Sequence, residues 1–163
     1  MTAQIPEKLI YKGEELNLCS TPLEPFFQNT RFPRRLASTS TALWRGYVGT
    51  WSIEDGRLYL TDIHAHIDVP DEPEYVEVGM KELFPYATDG VFAHWFTGDL
   101  RCSMGALLEY RHMGFMSTYE KDLFILVKRG VVQQEHLVVN GVAPPDASQH
   151  HVIAAQYISG KPH

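Results

Sequence analysis

Cysteine is nearly absent: Cys19 and Cys102 are the only two in 163 residues. Two cysteines cannot make a disulfide framework, and their separation excludes the close pairing of a zinc ribbon or a dithiol redox centre. Two free thiols in a reducing cytoplasm are expected. Long apolar runs are missing as well. None approaches the ~18 residues of a membrane-spanning helix, and the start, MTAQIPEKLIYKGEEL, lacks the basic and apolar regions of a signal peptide. Basic charge is scarce, with 14 Lys and Arg against 20 Asp and Glu and a formal net charge of -6. A surface of that sign is a poor start for neutralising phosphate, so nucleic acid is not an expected partner. The only basic cluster is RFPRR, with Arg31, Arg34 and Arg35. No Gly-rich phosphate loop, nucleophile elbow or zinc-finger spacing occurs, so nucleophilic catalysis has no support from motifs. A soluble, cytoplasmic protein without a membrane span is expected.

What is present is a period of two. LIYKGEELNL reads as strand, turn at Lys12-Gly13, strand. RGYVGTWSI and LYLTDIHAHIDV flank Glu54-Asp55-Gly56-Arg57, and Asp-Gly between alternating apolar runs is the strongest short-range hairpin signal. DLFILVKRGVVQQEHLVVN repeats the pattern around Lys128-Arg129-Gly130. VFAHWFTGDLRC reads as a strand after a turn at Asp89-Gly90, bent at Gly98, and ALLEYRHMGFMSTY follows beyond Gly105. VEVGMKELFP fits either a strand or a short helix. Pro22, Pro25 and Pro33 make Ser20 to Arg35 mostly loop, with LEPFF as a helical turn that delivers Phe26 and Phe27 to the core. The fold expectation is mainly β: a single antiparallel β-barrel or strongly curved meander sheet with one or two short helices over residues 1–143. Residues 144–163 read as a partly ordered C-terminal extension in which HHVIAAQYI forms a small helix or a last edge strand.

The stretch with most chemistry is TDIHAHIDV, Thr61 to Val69. On a strand, alternate side chains share a face. Asp62, His64, His66 and Asp68 then line one face, and Thr61, Ile63, Ala65, Ile67 and Val69 the core face. The polar row is either the wet side of a half-buried strand or part of a divalent transition-metal site, since neutral imidazoles at i and i+2 can share one ion. A third ligand has to come from elsewhere, with His94, Glu109, His112 and His136 as candidates. His64, His66 and His136 form the expected metal set. Trp44, Arg45, Trp51, Trp95, Glu109 and His112 form the expected binding set. Tryptophan and arginine anchor partners and line pockets, and a glutamate near a histidine can orient its imidazole.

Two families use His-x-His on strands. DIHAHI resembles the first-strand signature of amidohydrolases, but their (β/α)8 barrel needs about 250 residues, more than this chain has. Gly56, His64, His66, Glu72 and Gly79 loosely resemble the first cupin motif, and His136 and Asn140 the end of the second. The gap from Gly56 to His64 is longer than that pattern, and its Pro-x-Gly is missing before His136. The resemblance implies a small β-barrel with a metal on the two histidines, a glutamate and a later histidine.

Two function classes follow. One is a non-catalytic intracellular binding protein, immunity- or inhibitor-like, with an acidic surface for a basic protein partner. The other is a small-molecule-binding or metal-dependent cupin-like enzyme centred on His64 and His66.

Overall fold

A computed structural model describes residues 3–29 and 35–143 of the chain. Three hairpins are set by the same local chemistry. β1 (Glu7–Tyr11) and β2 (Glu14–Leu18), β4 (Tyr47–Glu54) and β5 (Arg57–Asp68), and β9 (Thr118–Lys128) and β10 (Val131–Val139) are each joined by two residues. Both turn residues have positive φ in every case: Lys12 and Gly13, Asp55 and Gly56, Arg129 and Gly130. That is the geometry whose twist matches the flanking strands, and a glycine at the second position adopts it without steric cost.

The remaining elements are α1 (Glu24–Asn29), β3 (Arg35–Leu36), β6 (Val76–Val78), α2 (Met80–Leu83), β7 (Val91–Phe92) and β8 (Gly98–Glu109). The strands join in one sheet ordered β10-β9-β8-β2-β1-β4-β5-β3, with β6 and β7 also on β5. A bridge between Val131 and Arg57 ties β10 back to β5 and makes the path ring-like. The pairings are antiparallel with one exception among the named strands: β1 runs parallel to β4, with Leu9 opposite Trp51. The sheet is therefore mixed rather than a pure meander. A connection of 35 residues between β1 and β4, containing β2 and α1, supplies the crossover that parallel neighbours require.

Other expectations are refined. VEVGMKELFP is both things in turn, β6 and then α2. VFAHWFTGDLRC is broken: β7 covers only Val91 and Phe92, and β8 begins at Gly98. Gly105 does not end a strand. It has φ +81 and sits in a register shift between Met104 and Leu107, a bulge that β8 absorbs before continuing to Glu109. All of LEPFF but Leu23 is helical, as the start of α1. Phe26 packs on Trp95 and Phe84, and Phe27 on Tyr47, so the helix closes one margin of the core.

The core collects the inward sides of nearly every strand, including Leu9, Leu18, Trp51, Leu58, Leu60, Ile63, Leu100 and Ile125. Neither described helix is long and apolar enough to cross a membrane. Arg31, Arg34 and the 144–163 extension lie outside the described residues.

Candidate functional site

β5 decides the site because it holds the histidine pair and touches five other strands. Its inner residues change parity halfway. Leu58 and Leu60 are buried, then Ile63, Ala65 and Ile67. The cause is a bulge: Thr50 on β4 opposes Asp62, whereas Trp51 opposes Leu60, so Thr61 is an extra residue. Thr61, expected on the core face, is exposed and donates its hydroxyl to the Thr50 carbonyl at 3.0 Å. The alternation expected from Ile63 onward is present, with His64, His66 and Asp68 on the outer face.

Across from that face lies a residue the sequence reading did not single out. β6 pairs with β5 so that Glu77 stands directly opposite His66. Its Oε1 is 3.5 Å from His66 Nε2 and 3.6 Å from His64 Nε2. The imidazoles are edge to face, with centroids 5.3 Å apart. One ligand atom from each of His64, His66 and Glu77 lies within 4.8 Å of the other two, a spacing that can hold a metal ion. His64 and Glu77 are open to solvent, with side chains 60% and 69% exposed, while His66 is 19% exposed. His66 Nδ1 is buried with no hydrogen-bond partner among the described residues. His66 also borders an open groove with Thr39, Asp68, Glu72, Pro73, Glu74 and Tyr75.

The ligand set implied by the cupin resemblance is not assembled. Glu72 lines the groove rather than joining the triad. His136 stacks on Phe124, its neighbour across β9 and β10. From the bridge between Val131 and Arg57, β10 and the antiparallel β5 run in opposite directions. That divergence carries His136 away from His64.

The expected binding residues are dispersed. Trp51 is fully buried, and its indole N–H donates to Glu7 Oε1 at 3.2 Å. Arg45 also turns inward, reaching Glu7 Oε2 with Nη2 at 2.9 Å and with Nε at 3.3 Å. Trp95 is half-buried and donates to the Pro22 carbonyl at 2.8 Å. Trp44 is exposed. Glu109 pairs with Arg111 at 2.8 Å in solvent, and His112 packs edge-on against Tyr110. Arg45 and Trp51 thus meet at Glu7, while the contacts of Trp95, Glu109 and His112 lie elsewhere.

Glu7 is the other residue that the sequence reading passed over. It is fully buried and accepts hydrogen bonds from Arg45, the Gly49 amide (2.7 Å) and Trp51. Burial pushes its carboxyl above the usual glutamate range, opposed by the guanidinium and the surrounding donors. A signal existed: Glu7 is in phase with Leu9 on β1, an acid on the core face. The bonds to Gly49 and Trp51 fix β1 against β4, and the buried pair with Arg45 offers no group to a substrate.

Burial also raises both thiols, Cys102 to about 12, and raises Tyr119 to about 12. These groups stay protonated near neutrality, so none is an activated nucleophile. A small cavity near Cys19, Ser103, Ser117 and Tyr119 measures about 20 Å³, room for one water. No protein-family profile, no curated relative and no solved structure matches the chain.

Proposed function

We propose that the protein is a non-catalytic binding protein, immunity- or inhibitor-like, whose β5–β6 face receives a basic protein partner. One observation carries this reading. From Leu58 to Met80 the chain has no lysine or arginine and six carboxylates: Asp62, Asp68, Asp71, Glu72, Glu74 and Glu77. All six are exposed. The formal charge of the whole chain is -6, so acids and bases balance outside this stretch. The acidic excess is thus concentrated on one strand, its neighbour and the loop between them. A local field of one sign steers a complementary partner and fixes its orientation.

The chemistry elsewhere supports binding over turnover. The thiols are held protonated, and three of the expected anchors, Arg45, Trp51 and Trp95, are spent on internal contacts. The histidines face outward beside an open groove, so a reaction there would not be shielded from water.

The test is capture of partners from the native lysate at low salt, with identification of what is bound. Wild type should retain a basic protein that is released as salt is raised. The triple variant Asp71→Lys, Glu72→Lys, Glu74→Lys should not retain it. Equal retention by both forms, or capture that salt does not weaken, would sink the proposal.

A further inference from the structure

We infer that His64, His66 and Glu77 form a binding site for a four-coordinate transition-metal ion, zinc above all, that clips β6 to β5. This goes beyond the partner-binding reading and does not depend on it.

The donor set argues first. Two imidazoles and one carboxylate suit zinc, copper, nickel or iron, whereas calcium and magnesium take oxygen ligands almost throughout. Geometry argues next. With bonds of about 2.1 Å, donors 3.5 to 3.6 Å apart subtend about 115° at the ion, near the tetrahedral angle. Octahedral neighbours at the same bond length would be about 3.0 Å apart. Closing both imidazoles onto one ion needs a shift of at most about 1.4 Å from the 4.8 Å limit, within reach of the exposed His64 side chain. Both Nε2 atoms already face the same carboxylate oxygen.

The elements that carry the donors argue third. His64 and His66 share one face of a long strand, two residues apart, with the buried Ile63, Ala65 and Ile67 holding the backbone beneath them. Glu77 sits on the three-residue strand β6, in register with His66. Two ligands are therefore on a rigid element and one on a short one. Solvent fills the remaining position, since His64 and Glu77 are both open to water. An ion there would bond β5 directly to β6 and shorten the reach of the loop between them. The five other exposed carboxylates of the same stretch favour a cation electrostatically without being ligands.

The experiment is calorimetric titration of Zn2+ into the metal-free full chain, with the single variants His64→Ala and Glu77→Gln, and Mg2+ and Ca2+ as comparison ions. One zinc per chain is expected. Each substitution should weaken binding about tenfold or more, since even a lost outer-shell partner costs that much. His136→Ala and the double variant His150→Ala, His151→Ala should bind as wild type does. Both mutated ligands are exposed, so circular dichroism should show the fold retained. Co2+ in the wild-type protein should give the intense visible bands of a four-coordinate ion. The inference is overturned if zinc does not bind with saturation, if either His64→Ala or Glu77→Gln binds like wild type, or if Co2+ shows only weak octahedral bands.

Discussion

Replacing Glu7 with glutamine removes the anion from the most buried ionic contact among the described residues. The Arg45 side chain, 8% exposed, would keep its charge without a counter-charge. Breaking a buried pair by removing one partner costs about 3–5 kcal/mol, because the remaining ion stays desolvated. The glutamine oxygen can still accept from the Gly49 amide or the Trp51 indole, so the low end of that range applies. A domain of ordinary stability, about 5–15 kcal/mol, would lose a large part of it. Urea unfolding followed by circular dichroism measures the loss. The companion variant Arg45→Met separates charge from packing. Without the guanidinium, burial dominates and Glu7 titrates still further above 4.5. A carboxyl raised in the folded state keeps its proton where the unfolded chain releases it. The stability it contributes is then complete below the unfolded value and is lost as pH rises through the folded one. Arg45→Met should therefore be mildly destabilised near pH 4.5 and markedly so at pH 7. The Glu7→Gln penalty should shrink modestly over the same window, because the wild-type carboxyl is itself raised and gives up stability there, whereas glutamine does not titrate. A Glu7→Gln loss below about 1 kcal/mol would mean that water reaches the pair. That result, or an Arg45→Met penalty independent of pH, would refute the reasoning.

Other consequences are more local. Gly49→Ala would place a methyl group 2.7 Å from Glu7 Oε1 and 2.8 Å from Trp51 Nε1, so it should cost about 1–3 kcal/mol in the same urea assay. His64→Ala in the metal-free protein should change stability by about 0.5 kcal/mol or less, as expected for an exposed side chain whose contact with Glu77 is screened by solvent. Neither thiol should react with a disulfide reagent in the native state near pH 8, and both should react on unfolding. Cys102 should also make the fold alkali-sensitive. Its folded value of about 12 exceeds the unfolded 9.0, so its stabilising contribution is lost as pH rises across that interval. Cys102→Ala should flatten that part of the pH profile measured by thermal unfolding.

The sequence alone determined the local frame. Three tight turns, the alternating runs around them and the short helix at Phe26 follow from rules that act over a few residues: positive φ at glycine, two-residue periodicity and proline as a breaker. The placement of His64 and His66 on the face opposite Ile63 and Ile67 was legible for the same reason. Even there the Thr61 bulge was not, because a bulge depends on the register of the partner strand.

Only the tertiary structure decided what meets what. Glu77 stands opposite His66 because β6 pairs with β5 across a loop rich in proline and acid, and nothing in VEV names that partner. Glu72, with the more suggestive sequence position, is left lining the groove. His136 carries the same imidazole as His64 but leaves the ring of strands in the opposite direction. Glu7 finds Arg45 through the parallel pairing of β1 with β4, 38 residues apart in sequence. Arg45 and Trp51 thereby became core anchors rather than surface contacts. Composition and periodicity act along the chain, whereas a site is a meeting of distant side chains. That meeting depends on strand order and register, which are set by the packing of the whole core.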